Sequence, residues 1–383
     1  MAAFSDFAGR ACPDWFRAPQ LGVFIHWGMF AVPAFAPRGQ SITDLFAQDF
    51  DNAFARAPYA EWYWNAMRVP GSETAAHHAA TYGGARPYEA FRDEFERAAR
   101  AFDANAWADL FAAAGARYVV FVTKHHDGYC LGPSDVKNPH APSWARERDY
   151  VGALAAAVRA RGMRFGLYYS GGLDWTFRHI PISNFGDLFA CVPTDDAYRA
   201  YAAAQLRELI ARYAPSVLWN DIAWPDERDV PALFADYYAA VPDGAVNDRW
   251  MGQSALFHAL RAPAARAGFN AAVRARIREV GFDAASAPPP HCDFRCVEYS
   301  DAAYADQKWE CTRGLGLAFG YNANERTDDY MTGGELLKLY RDTTARGGNL
   351  LINVGPCADG SIPEVQREPL LALGRALTAA PRA

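Results

Sequence analysis

The sequence predicts an α/β protein built as an irregular (β/α)8 barrel, and three observations carry that expectation. Short apolar runs that read as strands buried on both faces alternate with capped, amphipathic stretches that read as helices. About eight such strands can be counted, near residues 24, 120, 167, 218, 246, 296, 319 and 352. Chemistry-bearing side chains follow these runs directly, at the C-terminal mouth where barrel enzymes keep their active sites. The uneven spacing of the strands favours a distorted barrel over an ideal one.

Composition narrows the function. The 383 residues are 51% hydrophobic and 21% charged, with no low-complexity tract, so the chain can bury a large core. A net charge of −6 with scattered Lys and Arg provides no basic stripe and argues against nucleic acid or a membrane surface as partner. The 11 Trp residues suit core packing and stacking on sugar faces alike. Met1 to Phe7 lacks the charged and apolar regions of an export signal, and no run of about 18 apolar residues occurs. The seven Cys form no CxxC pair, and His291, Cys292 and Cys296 lack a fourth ligand at zinc spacing. Free thiols and a cytoplasmic location are expected. No P-loop, GxGxxG or GxSxG signature is found, so no cofactor is expected.

In chain order, Leu21 to Ile25 form the first strand and deliver His26, Trp27 and Gly28. A lone His there is more often a packed core residue; the weight comes from repetition. The stretch from Ala31 to about Arg86, with Glu61-Trp62-Tyr63-Trp64, is too long for a βα loop and is read as helices and loops roofing the mouth. Asp103 caps a helix that stops at Gly115, and Arg117 to Thr123 form a buried strand ending in Lys124-His125-His126-Asp127-Gly128. The helix Tyr150 to Ala160 precedes the strand Arg164 to Ser170, and the helix Asp195 to Tyr213 leads to Ser216-Val217-Leu218-Trp219-Asn220-Asp221. Val230 to Ala240 read as a short helix and Gly244 to Trp250 as a strand. A helical and then extended insertion spans about 252–290, followed by Cys292 to Tyr299. Trp309 to Leu315 are expected to be helical, Leu317 to Asn322 a strand, Gly333 to Arg346 a helix capped by Thr332, and Gly348 to Val354 the last strand. One helix, Pro363 to about Ala379, follows.

Such a barrel gathers His26, His125, His126, Tyr168, Trp219, Asp221, Arg249 and Glu298 at its mouth. Two carboxylates amid imidazoles and indoles fit glycoside hydrolysis, in which one attacks and the other donates a proton. Asp221, with several donors near it, reads as nucleophile, and Glu298 as acid/base. Glu61 is either a surface helix residue or a ligand to a polar substrate.

These motifs resemble those of the α-L-fucosidases of glycoside hydrolase family 29. The resemblance runs from about Leu21 to Gly360. It rests on Phe24-Ile25-His26-Trp27-Gly28, Glu61-Trp62-Tyr63, Lys124-His125-His126-Asp127-Gly128, Leu218-Trp219-Asn220-Asp221, Phe294 with Glu298-Tyr299, Phe319-Gly320-Tyr321-Asn322, and Leu350-Leu351-Ile352-Asn353-Val354-Gly355-Pro356. It implies a retaining exo-enzyme acting on fucosylated glycans, with Asp221 as nucleophile and Glu298, in an Asp-Phe-x-x-x-Glu-Tyr pattern with Asp293 and Phe294, as acid/base. By the same resemblance His26, Glu61, Trp62, His125, His126, Tyr168, Trp219 and Arg249 hold the fucose, and Phe319 lies against its methyl group. Glu310 is the rival acid/base, read as structural or capping.

Residues 1–383 are expected to form a single catalytic domain without the C-terminal β-sandwich of many relatives. A homo-oligomer partner or the insertion would cover the flank this leaves, or the chain is a minimal catalytic unit. Two other readings stand beside the glycosidase: a non-catalytic glycan-binding relative, and a metal hydrolase built on His125, His126 and Asp127.

Overall fold

The computed structural model describes residues 2–144, 148–281, 289–298, 304 and 306–379. Eight parallel strands form one sheet in the order β5-β4-β3-β2-β1-β8-β7-β6, where β1 is Leu21–Ile25, β2 Tyr118–Lys124, β3 Arg164–Tyr169, β4 Val217–Asn220, β5 Ala245–Val246, β6 Arg295–Val297, β7 Trp309–Gly314 and β8 Asn349–Val354. Helices on the outside cover the sheet, so most strands are buried along their whole length and read as apolar runs. This is the (β/α)8 architecture.

Side chains alternate across each strand, and the inward set makes a core of its own. Phe24, Val120, Tyr168, Val217, Trp219, Phe294 and Leu351 fill the barrel, and Phe16, from a single helical turn at Asp14–Arg17, plugs its floor. Tyr118 crosses the interior over Gly22, where even a Cβ would come within 2.3 Å of its ring. Gly22 therefore lets the Tyr118 hydroxyl reach Glu310 on β7.

Strand seven departs from the expectation. Trp309 to Leu315 are not helical: Trp309–Gly314 is β7, paired to β6 through Arg295↔Trp309 and to β8 through Glu310↔Asn349. The period is two, with Trp309 and Cys311 packed against the outer core and Glu310 turned into the barrel beside Tyr118 and Trp219. Inward polar groups gave this strand the look of a polar helix. Conversely, Leu317 to Asn322 are not a strand but a loop whose backbone serves the site: Gly320 N–H bonds Glu61 and Asn353 bonds the Phe319 carbonyl. Strand β5 is only two residues, because Asn247, Asp248 and Arg249 use their side chains to bind neighbouring segments instead of extending the ladder. Tyr299 and part of the expected insertion, 282–288, lie outside the described residues.

The sheet's two ends, β5 and β6, meet at a seam. Asp293 N–H donates to Val246 O at 3.0 Å, Val246 N–H donates to the Asp293 carboxylate at 2.8 Å, and Cys296 N–H donates to Asp248 at 3.2 Å. Side-chain carboxylates thus stand in for ladder carbonyls. Tyr238 also donates to Asp293 at 2.8 Å, and burial raises the Asp293 pKa against these donors. The insertion contributes the helices Ser254–Ala259 and Pro263–Val280, and the longer one packs on the helix Phe185–Ala190.

Replacing Asp293 by Ala strands the Val246 N–H in the seam and takes the carboxylate from Arg10, whose Nε lies 3.5 Å from it, while the Tyr238 hydroxyl keeps His291 Nε2 at 2.8 Å. The expected loss is about 3 kcal/mol, with Asp293→Asn retaining part of it, read as a shift of the urea midpoint at unchanged slope.

Candidate active site

At the C-terminal mouth lies a cavity of about 460 Å³. His26, Glu61, Trp62, His125, His126, Tyr168, Trp219, Asp221, Arg249, Glu298 and Phe319 all line it. Asp127 does not: its carboxylate accepts from the Tyr88 hydroxyl at 2.8 Å and from Tyr129 N–H at 3.0 Å, anchoring the roof over the mouth. Among the described residues no three His, Cys, Asp or Glu side chains gather as a metal-holding group. The trio His125, His126 and Asp127 is therefore divided between two tasks.

Asp221 follows the last residue of β4. Its carboxylate accepts from Arg249 Nη1 at 3.0 Å, from the Tyr168 hydroxyl at 2.8 Å and from Ile222 N–H at 2.8 Å, with His126 Nε2 at 3.7 Å. Burial would raise its pKa, but Arg249, His126, Tyr168 and Ile222 together outweigh burial and hold it below the ordinary value. The turn that presents it is strained. Ala223 N–H bonds the Asp221 carbonyl at 2.9 Å across Ile222, whose φ is +67°, a tight turn that a β-branched residue rarely adopts. Asn220 holds this turn: its amide donates to Ala223 O at 2.9 Å and to Arg249 O at 2.6 Å, and accepts from Gly171 N–H at 3.1 Å.

Glu298 stands just past β6, and its carboxylate accepts from Arg249 Nη2. One guanidinium, seated over the Trp219 ring at 4.9 Å, thus holds Asp221 with one nitrogen and Glu298 with the other. Glu310 lies deeper, fully buried within β7, and accepts from Trp219 Nε1 at 3.1 Å and from Tyr118. Burial lifts its pKa to about 7. It orients the Trp219 indole from below and is absent from the cavity lining.

The imidazoles are set by partners behind them. Asn353 donates to the Phe319 carbonyl at 2.6 Å, so its oxygen faces His26 Nδ1 at 2.7 Å and fixes the proton there. Ser170 donates to Leu173 O at 2.6 Å, which leaves its oxygen to accept from His126 Nδ1 at 2.7 Å. Both rings therefore turn an unprotonated Nε2 away from these partners, and burial lowers both pKa values to about 4. His125 stacks 5.7 Å from Tyr168 and is likewise held neutral by burial and its His and Lys neighbours. Glu61 accepts from Gly320 N–H at 2.7 Å; burial raises its pKa to about 8, opposed by that bond and reinforced by Glu325 and Glu298. Trp62 meets His126 edge to face at 5.3 Å, and Phe319 lies 5.1 Å from His26.

Asn220, Ser170 and Asn353 are the positioning residues that sequence reasoning left unassigned. Each is a polar residue at the end of an apolar strand run, and that break in pattern is the signal that could have found them.

Comparison with known proteins agrees with this architecture. The α-L-fucosidase family model matches residues 2–380. Tissue α-L-fucosidase of Mus musculus is 31% identical over 375 residues, covering 96% of this chain and 70% of that protein. Tissue α-L-fucosidase of Homo sapiens is 30% identical, covering 96% and 68%. Among solved structures, the Thermotoga maritima α-fucosidase superposes with a TM-score of 0.79 at 40% identity over 98% of this chain and 76% of that one. An α-L-fucosynthase form of the T. maritima protein, in complex with a fucosyl-fucose azide, gives 0.82 at 39% identity with the same coverage. This chain is a glycoside hydrolase and belongs to the α-L-fucosidases of family 29.

Proposed function

We propose that the protein is a retaining exo-α-L-fucosidase with Asp221 as nucleophile and Glu298 as acid/base. The observation that carries this reading is the shared guanidinium: oxygens of both carboxylates lie within reach of Arg249, which favours the short separation of retaining enzymes, about 5–5.5 Å, over the wider gap that must admit a water between them. The T. maritima relative has been solved in complex with fucose, which supports the same sugar here.

In the first step Asp221 attacks the anomeric carbon, the bond to the leaving oxygen breaks, and that oxygen takes the proton of Glu298. A water then attacks the same carbon and gives its proton to Glu298. The bond to Asp221 breaks, and fucose leaves with retained configuration. Arg249 Nη2 bonds the Glu298 carboxylate, so Glu298 must loosen from that pair to meet the leaving oxygen. The lowered pKa of Asp221 keeps the attacking group ionised. The Nε2 atoms of His26 and His126 accept from sugar hydroxyls, whereas Glu61, protonated at neutral pH, donates to one.

Three outcomes test this. Asp221→Gly loses hydrolysis of an aryl α-L-fucoside by about 10³-fold or more, and azide restores turnover by forming a fucosyl azide; a variant that azide does not rescue removes Asp221 as nucleophile. Glu298→Ala loses about 10²- to 10⁴-fold on an alkyl fucoside but far less on a nitrophenyl fucoside, whose leaving group needs no proton; an equal loss on both transfers the role away from Glu298. The pH profile of kcat/KM follows from the shifts. Protonation of His26 and His126 removes two acceptors only near pH 4, and loss of the Glu61 proton near pH 8 places a third negative charge in the pocket. Activity falls above about pH 8 as Glu61 loses its proton, and Glu61→Gln, which cannot ionise, lessens that alkaline fall.

A further inference from the structure

The cavity has two unlike halves. Its deep half is the polar group of strand-end residues just described. Its outer half is a wall of hydrocarbon rings continuous with them. From His126 the contacts pass to Trp62 at 5.3 Å, to Phe54 stacked on Trp62 at 5.4 Å, to Phe185 at 5.0 Å and to Phe46 at 5.3 Å. Phe189 and Phe257 stack at 5.6 Å and 2° on the same lining.

Three helices far apart in sequence build this wall: Ile42–Gln48, Phe185–Ala190 and Ser254–Ala259. The third, part of the insertion, is locked beside the catalytic turn. A Cβ on Gly252 would lie 1.5 Å from the Trp224 carbonyl, and Glu227 N–H donates to Gly252 O at 2.8 Å. The helix carries Leu256, which is 36% exposed and is the one exposed large hydrophobic among the described residues. It lines this cavity. An exposed aliphatic side chain at the mouth of an apolar channel is informative where the other large apolar residues described are buried or partly buried.

We propose that this outer half is an aglycone subsite for apolar leaving groups, an alkyl or aryl alcohol O-linked to the sugar. The inference rests on the fucosidase reading and deepens it. The sugar must occupy the deep half, where the acceptors and both carboxylates are, so whatever is linked to its anomeric oxygen points outward along the wall. Phe46, Phe54, Phe185, Phe189 and Phe257 offer no hydrogen-bonding group. A second sugar pressed there would bury several hydroxyls without partners, whereas a hydrocarbon chain loses nothing. Of the other polar lining groups, Asp248 and Arg295 are already paired at 2.6 Å, and the Gln253 amide can donate to a linking oxygen.

The test is kcat/KM for methyl, butyl and octyl α-L-fucosides, whose alcohols leave with nearly equal acidity. A fully buried methylene is worth up to about fourfold, so partial burial of the chain raises kcat/KM by about tenfold or more from methyl to octyl in the wild-type protein. In Leu256→Asp and Phe46→Ser, both changed at side chains that are not fully buried, the octyl-to-methyl ratio falls towards one. A wild-type ratio near one, or a ratio that both variants leave intact, overturns the proposal. Failure to hydrolyse every fucoside, nitrophenyl included, overturns the fucosidase reading instead.

Discussion

Two mostly buried carboxylates repel each other unless a cation shares them, and Arg249 is that cation. Much of the mouth follows from its placement. Its backbone carbonyl is tied to Asn220, its plane rests over Trp219, and Trp219 is held from beneath by Glu310. The guanidinium is therefore fixed in height and tilt before any substrate arrives, which is what preorganised electrostatics requires. Removing the charge would leave two buried anions facing each other, a cost well beyond one lost ion pair.

Around this charged centre the pocket is made of neutral groups with defined polarity. Burial keeps the imidazoles uncharged and the Glu61 carboxyl protonated. Asn353 and Ser170 then decide which nitrogen of His26 and His126 carries the proton. The result sets two acceptors, Nε2 of His26 and of His126, in one pocket with the Glu61 donor, matched to a ligand whose hydroxyls can do either. A sugar entering this pocket exchanges water for partners already oriented, and little reorganisation remains for the binding step.

Much of this was legible in the residues. Capping signals placed two of the helices, because Asp103 and Thr332 do accept from the first-turn N–H groups, and Asp149 and Asp195 cap two more that their apolar spacing located. Strand ends advertised the site because a polar cluster after a buried apolar run has few structural excuses. Strand β7 was not legible: its inward face carries Glu310 and Thr312, so alternation ran opposite to the usual apolar-in pattern, and the apolar loop after it imitated a strand. The outer aromatic wall was invisible for another reason. Phe46, Phe54, Phe185, Phe189 and Phe257 belong to separate segments, and only the fold makes them neighbours.

The sheet is best regarded as a ribbon bent almost into a hoop. Asp221 and Arg249 stand near one end of that ribbon, at β4 and β5, and Glu298 at the other, beyond β6. Between those ends the ladder is reduced to a few bonds through Asp293 and Asp248. The gap between the Asp221 and Glu298 carboxylates is thus not set by adjacent residues. It is the closure error of eight strands, summed around the circumference. A small change in twist or packing on the far side of the molecule would open or tighten that gap, so bulk that fills the barrel, such as Tyr118 against Gly22, acts as a spacer for chemistry it never touches.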